Sequence, residues 1–268
     1  MDGIKMKKWL AVFVMCSGMA AGAAAENTPP QTDEAIAIYF ARHGKTLFNT
    51  FDRVQGWADS PLTEDGIRVA RYLGEGLKGI KFDSYYSSDA GRQRETMAVI
   101  LHQAGVKDYQ LTELPGLREA FFGGFEGGWN KDMADAGARQ LGMKDGGEMF
   151  NKMKAGELMQ DQSQNALAAA DPKGLAENYQ QVKQRTQAAL HTIVDNAKAR
   201  GEKNVLAISS GTSMQIMISD LTTDPARNKP LSNAAVVKVV YQNGKYTVPE
   251  IGSMKYVEAG KQAFDNNK

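Results

Sequence analysis

From residue 36 onward, short apolar runs alternate with stretches of helical periodicity, and no other feature narrows the fold as far. A parallel strand covered on both faces reads as an apolar run, and the segment returning the chain to the next strand reads as an amphipathic helix. "AIAIYFA", "FDSYYSS", "YQLTELPGL" and "NVLAISS" are strand-like. Between them, "LTEDGIRVARYLGEGL" offers Thr63 as N-cap, Glu64 and Asp65 in the first turn, and Ile67, Ala70, Leu73 and Leu77 on one face. "GRQRETMAVILHQAG" is a second helix closed by Gly105, and a third, later in the chain, carries Tyr179, Val182, Thr186, Leu190, Ile193 and Ala197 as a stripe. The pattern predicts an α/β chain: a three-layer sandwich with a mostly parallel central sheet and helices on both faces. Asn243-Gly244 between alternating runs predicts a tight hairpin near the C-terminal end.

A chain of 268 residues, 42% hydrophobic and 24% charged, supports a substantial core. Its first 25 residues carry Lys5, Lys7 and Lys8, an apolar segment from Trp9, and Ala23-Ala24-Ala25. This order is that of a secretory signal peptide, and the apolar part, about 14 residues, falls short of the roughly 20 that a spanning helix needs. An anchored N-terminal helix, or lipidation at Cys16, are the alternatives. Residues 26–35 then form a mature tail, residues 36–268 the folded domain, and the location is periplasmic or secreted. Cys16 is the one cysteine of the chain, so the processed protein has neither disulfide nor catalytic thiol. Net charge is +1, of which the leader supplies +2, leaving −1 and no sign of a nucleic-acid partner or, after cleavage, a membrane partner.

Residues 120–174 break the alternation. They are glycine-rich and contain Met133, Met143, Met149, Met153 and Met159. Such a segment is long enough to form a helical cap over an active site, with methionines adapting to varied ligands; a loose insertion packed on one edge is the alternative.

Several motifs drop out on context. "GEGLKG" at 74–79 has the dinucleotide-binding spacing but follows a helix and precedes a strand, the reverse of what that fingerprint requires. Ser209 in "AISSG" resembles a nucleophile elbow, yet all three histidines, His43, His102 and His191, precede it, whereas that fold places its histidine afterwards. His102 and His191 lie within helices, as surface histidines do. His43 differs: it follows a strand, between Arg42 and Gly44, at the edge where open α/β sheets bind ligands. An imidazole beside a guanidinium makes chemical sense when an anion lies between them, the arginine holding a phosphate and the neutral ring attacking its phosphorus.

"RHGKTLFN", "QGWADSPLTEDG", "SSDAGRQRET" and "LREAFFGGFEGG", in that order, resemble the histidine phosphatase superfamily, in the branch that includes cofactor-dependent phosphoglycerate mutases. The resemblance spans about residues 36–128 and resumes near 204. It implies a phosphohistidine at His43, phosphate clamping by Arg42 and Arg92, Glu119 as proton donor to the leaving oxygen, and Asn49 as a donor to phosphate or substrate, with no metal or cofactor. The departure is Ser210, which stands where the family usually has a second phosphate-binding histidine. The expected function is hydrolysis of a small exported or extracellular phosphomonoester. A phosphate-binding pseudoenzyme impaired by Ser210, and a mutase-type phosphoryl transferase, are the alternatives.

Overall fold

The computed structural model describes residues 34–266. The leader at 1–25 and the tail as far as residue 33 lie outside them. Six strands form one sheet in the order β3-β2-β4-β1-β5-β6: β1 (Ile36–Arg42), β2 (Ser84–Ser87), β3 (Leu111–Glu113), β4 (Asn204–Ser209), β5 (Val236–Gln242) and β6 (Lys245–Ser253). β1 through β4 run parallel, and β5 and β6 add an antiparallel edge. The hairpin joining them turns at Asn243 and Gly244, both with positive φ (51° and 78°), as the tight turn demands.

Alternate residues of β1 enter two separate cores, which makes the sandwich three-layered. Ile36, Ile38 and Phe40 face α7 (Tyr179–Arg200) and α8 (Gly211–Met217), alongside Val205, Ala207, Val237 and Val239. Tyr39 and Ala41 face α2 (Glu64–Leu77), α3 (Gly91–Ala104) and α9 (Lys255–Asn266) with Leu206 and Ile208. The predicted stripes pack as expected: Ala70, Leu73 and Leu77 of α2 and Val182, Thr186, Leu190, Ile193 and Ala197 of α7 are buried, while Ile67 and Tyr179 are half-buried. Thr63 caps α2, its hydroxyl accepting from Gly66 N at 3.1 Å. The third strand is shorter than its apolar run, because Pro115 opens a 3-10 turn that ends the extended stretch.

"GEGLKG" has a packing role. A Cβ on Gly74 would lie 2.5 Å from Ile100 O, and one on Gly76 would lie 1.8 Å from Tyr256 O, so these glycines let α2 approach the backbones of α3 and α9. Gly260 answers from α9, 1.8 Å from Tyr72 O on the same measure.

The interruption contains α4 (Asn130–Gln140), α5 (Gly146–Ala155) and α6 (Gln160–Ala170), of which α6 rests on α7 and α8. Four of its five methionines pack into apolar clusters, which departs from the expectation of an adaptable ligand surface, while Met159 is exposed. Met149 is buried between Ala138 and Leu158, with Met143 and Met153 packed around it, and Met133 joins a cluster with Val54 and Ile216. Met143, Met149 and Met153 thus belong to the insertion's own small core, which holds its helices together, whereas Met133 ties the insertion to the rest of the fold. The remaining short helix, α1 (Leu47–Thr50), directly follows the RHG segment.

Candidate active site

β1, β2 and β4 end level, with Arg42 opposite Ser209 and Ser87 opposite Ile208. The predicted residues hang from this carboxyl edge. Arg42 ends β1 and His43 follows it. Arg92 opens α3 after β2, Glu119 lies in the loop beyond β3, and Ser210 follows β4.

His43 is 3% exposed, and its Nδ1 lies 2.8 Å from Gly44 O. A carbonyl only accepts, so Nδ1 carries the proton and Nε2 is left with its lone pair. Burial holds the ring's pKa well below 6.5, and the charges of Arg92 and Arg42 push the same way against the Gly44 hydrogen bond. The imidazole is therefore neutral at physiological pH.

Each neighbouring guanidinium has a buried Nε without a partner. Arg42 donates from Nη1 to Leu231 O, and its Nε is buried without a partner. Burial also lowers the Arg42 pKa, a shift opposed by the Glu119 charge and reinforced by Arg92. Arg92, 1% exposed, donates from Nη1 to Ala58 O (3.1 Å) and Asp59 Oδ1 (2.9 Å) and from Nη2 to Gly56 O (2.7 Å); its Nε is likewise buried and unpartnered. An unpaired buried donor costs about 1–3 kcal/mol. Two of them, on cations whose charges act on the neutral imidazole, suit a site that takes up an anion.

Glu119 is buried against the start of α8. Its Oε1 accepts from Ala120 N (2.9 Å) and Ser213 N (2.8 Å), and its Oε2 accepts from Thr212 N (3.1 Å). Ser210 is fully buried, its Oγ accepting from Gln93 Nε2 at 3.0 Å, and the next residue, Gly211, packs against the Arg42 guanidinium. Asn49 spends its Oδ1 on Thr46 N (3.2 Å) and Asn233 Nδ2 (3.4 Å), which leaves its amide nitrogen as the available donor. His102 and His191 are exposed, outside this group. Among the described residues no cluster of three or more His, Cys, Asp or Glu is placed to hold a metal ion.

Three contributors escaped the sequence. Asn233 donates to His43 O at 3.0 Å across 190 positions, a contact only the β1–β5 pairing creates. Gln55 accepts from Thr46 Oγ1 through its Oε1 at 2.6 Å, and its Nε2 is a third buried donor without a partner. Gln93 is fully buried and joins Ser88 N (2.9 Å), Leu117 O (3.2 Å) and Ser210. Gln93 stands among Arg92, Arg94, Glu95 and Thr96, so its sequence context gave no signal.

The family model for the histidine phosphatase superfamily (branch 1) matches residues 38–171 and 151–253. Among curated proteins, the probable phosphoglycerate mutase GpmB of Yersinia pestis (strain Pestoides F) is 40% identical over 82 residues, which are 30% of this chain and 38% of that protein. The chain thus spans about two fifths of the length of the curated relatives it matches. Among solved structures, a phosphoglycerate mutase from Bacillus anthracis str. Sterne superposes with a TM-score of 0.79 at 37% identity, covering 85% of this chain and 97% of that one. A mutant phosphoserine phosphatase from Entamoeba histolytica, in complex with phosphoserine, shares the fold with a TM-score of 0.58 at 23% identity, over 82% of this chain and 98% of that one.

Proposed function

This chain belongs to the histidine phosphatase superfamily, branch 1, whose members include phosphatases and mutases, and from that premise we propose that it hydrolyses small phosphomonoesters through a phosphohistidine at His43. The observation that carries the proposal is the tautomer of His43: its Nδ1 proton is committed to Gly44 O, so Nε2 keeps its lone pair on a ring that feels the charges of Arg92 and Arg42, each with a buried, unpaired Nε. Nε2 attacks phosphorus, the P–O ester bond breaks, and Glu119 delivers a proton to the departing oxygen. Water then attacks the phosphohistidine, Glu119 recovers a proton from it, and the P–N bond breaks to release phosphate. Arg42 and Arg92 stabilise the charge on the transferring group throughout.

The test is rapid quench with an activated aryl phosphate, avoiding acid. Wild type should carry an acid-labile, base-stable phosphate on the peptide containing His43, and His43→Ala should lose both label and turnover. Full activity in that variant sinks the mechanism. Binding of phosphate with no turnover of any ester would point to a pseudoenzyme impaired by Ser210, and transfer to a second alcohol in preference to water would point to a mutase, the reading favoured by the 37% identity to the Bacillus anthracis protein. We propose that it acts outside the cytoplasm, to which the signal-like residues 1–25 would direct it; exported protein should lack the mass of about 25 residues, retention of that mass in a membrane fraction would point to an anchor, and protein confined to the cytoplasm would count against export.

A further inference from the structure

Residues 56–58 stand between two charges. On one side the Glu126 carboxylate accepts from four backbone N–H groups: Oε1 from Trp57 (2.9 Å) and Phe122 (3.0 Å), Oε2 from Gly56 (3.1 Å) and Ala58 (2.8 Å). On the other side the carbonyls of Gly56 and Ala58 hold the Arg92 guanidinium. A peptide unit points its N–H and C=O in opposite directions, so an anion on one flank and a cation on the other polarise the loop in the same sense. The approach is tight enough to exclude a side chain: a Cβ on Gly56 would stand 2.2 Å from Glu126 Oε1 and 2.2 Å from Ala120 O.

The same carboxylate reaches the loop of Glu119. Phe122 is bound to it directly, and Trp57, whose N–H it accepts, donates its indole Nε1 to Glu119 O at 3.0 Å and packs on Phe121 with ring centroids 4.7 Å apart. Arg185 braces that loop from α7, donating to the carbonyls of Gly116, Arg118 and Glu119 while paired with Glu177. Glu126 is therefore the group through which the support of the phosphate clamp and the support of the proton donor are joined.

We propose that Glu126 is a positioning residue for phosphoryl transfer: through residues 56–58 it sets the orientation of Arg92, and through Phe122 and Trp57 it sets the placement of Glu119. The kinetic half of this inference rests on the phosphohistidine mechanism; the binding half rests on the anion clamp alone. Glutamine at 126 keeps the volume but turns an amide nitrogen toward two of the four N–H groups, so donor meets donor and the loop must shift. A misplacement of about 1 Å at a reacting group costs on the order of 10²-fold.

The experiment compares wild type, Glu126→Gln, Glu126→Asp and, as a destabilised control outside the site, Ile193→Ala in the core beneath α7. Affinity for inorganic phosphate is measured by calorimetry, kcat and KM on an aryl and an alkyl phosphate, and melting temperature on all four. Glu126→Gln should bind phosphate at least about tenfold more weakly, and its kcat should fall further for the alkyl than for the aryl ester, because an alkoxide needs a delivered proton and an activated aryl oxide does not. Ile193→Ala should lose melting temperature while keeping both the phosphate affinity and the alkyl-to-aryl ratio. Wild-type phosphate affinity and an unchanged ratio in Glu126→Gln overturn the proposal, whatever happens to its melting temperature. If Glu126→Gln does not fold, Glu126→Asp, which keeps the charge on a shorter arm, is judged by the same two readouts. If wild type binds phosphate but turns over neither ester, the hydrolase mechanism fails while phosphate affinity still decides for or against Glu126; absence of phosphate binding in wild type overturns both.

Discussion

Ser210 and Gln93 close the end of β4 together. Its hydroxyl oxygen accepts from Gln93 Nε2 at 3.0 Å, and both residues are fully buried, so the amide occupies the direction in which a longer side chain at 210 would extend. Because Gln93 fills one lone pair of the hydroxyl, the serine proton is left for another acceptor, and Gly211, the next residue, lies against the Arg42 guanidinium. This packing decides what an imidazole at 210 should do. Overpacking a filled site costs about 1–3 kcal/mol, so Ser210→His alone should lower both melting temperature and activity on an aryl phosphate. Gln93→Ala combined with Ser210→His makes room, and should exceed the single variant in kcat by roughly tenfold or more, since one well-placed donor to transferring charge is worth about 10²–10³ in rate. Equal kinetics for the single and double variants would show that Gln93 does not shape the pocket.

At the scale of elements, α2 and α9 meet glycine to backbone. Alanine favours a helix over glycine by about 1 kcal/mol, so propensity alone predicts that Gly260→Ala stabilises α9. The added methyl would lie 1.8 Å from Tyr72 O, a main-chain atom that cannot swing aside, so the helices must separate instead. Strain of this kind costs about 1–3 kcal/mol and should outweigh propensity, lowering the melting temperature by several degrees; an unchanged or raised value would show that the helices are not held this closely. The same pair shows what a sequence discloses. Thr63 as cap and the stripes of α2 and α7 were legible because they depend on residues a few places apart. "GEGLKG" was legible as a decoy, since its context was wrong, but its packing role needed α9, nearly two hundred residues away. Likewise Arg42, His43, Arg92 and Glu119 stood in ordered motifs, whereas Asn233 and Gln93 gained their roles only from partners that the sheet and the start of α8 bring across.

For the whole molecule, burying His43 as a neutral ring has a cost that depends on pH. Its native pKa lies well below 6.5, the ordinary value it regains on unfolding. As pH falls below 6.5 the unfolded chain takes up a proton that the native state refuses, so this residue removes stability through that window, at no more than about 1.4 kcal/mol per pH unit. Above 6.5 both states are neutral and the effect vanishes. Between pH 7 and 5, melting temperature should therefore fall more steeply in wild type than in His43→Ala; parallel slopes would mean that the native ring is protonated as readily as the unfolded one. The sheet order adds a matter of timing. β1, made first, lies between β4 and β5, with Ala37 opposite Asn204 on one side and Val240 on the other. At about 5–20 residues per second during synthesis, roughly ten to thirty seconds separate the appearance of His43 from that of the first strand able to pair with its own. During that interval the nascent chain carries His43 without α8 behind Glu119 and without a paired strand beside it, so the proposed phosphoryl chemistry requires the chain to be complete through β4 and α8.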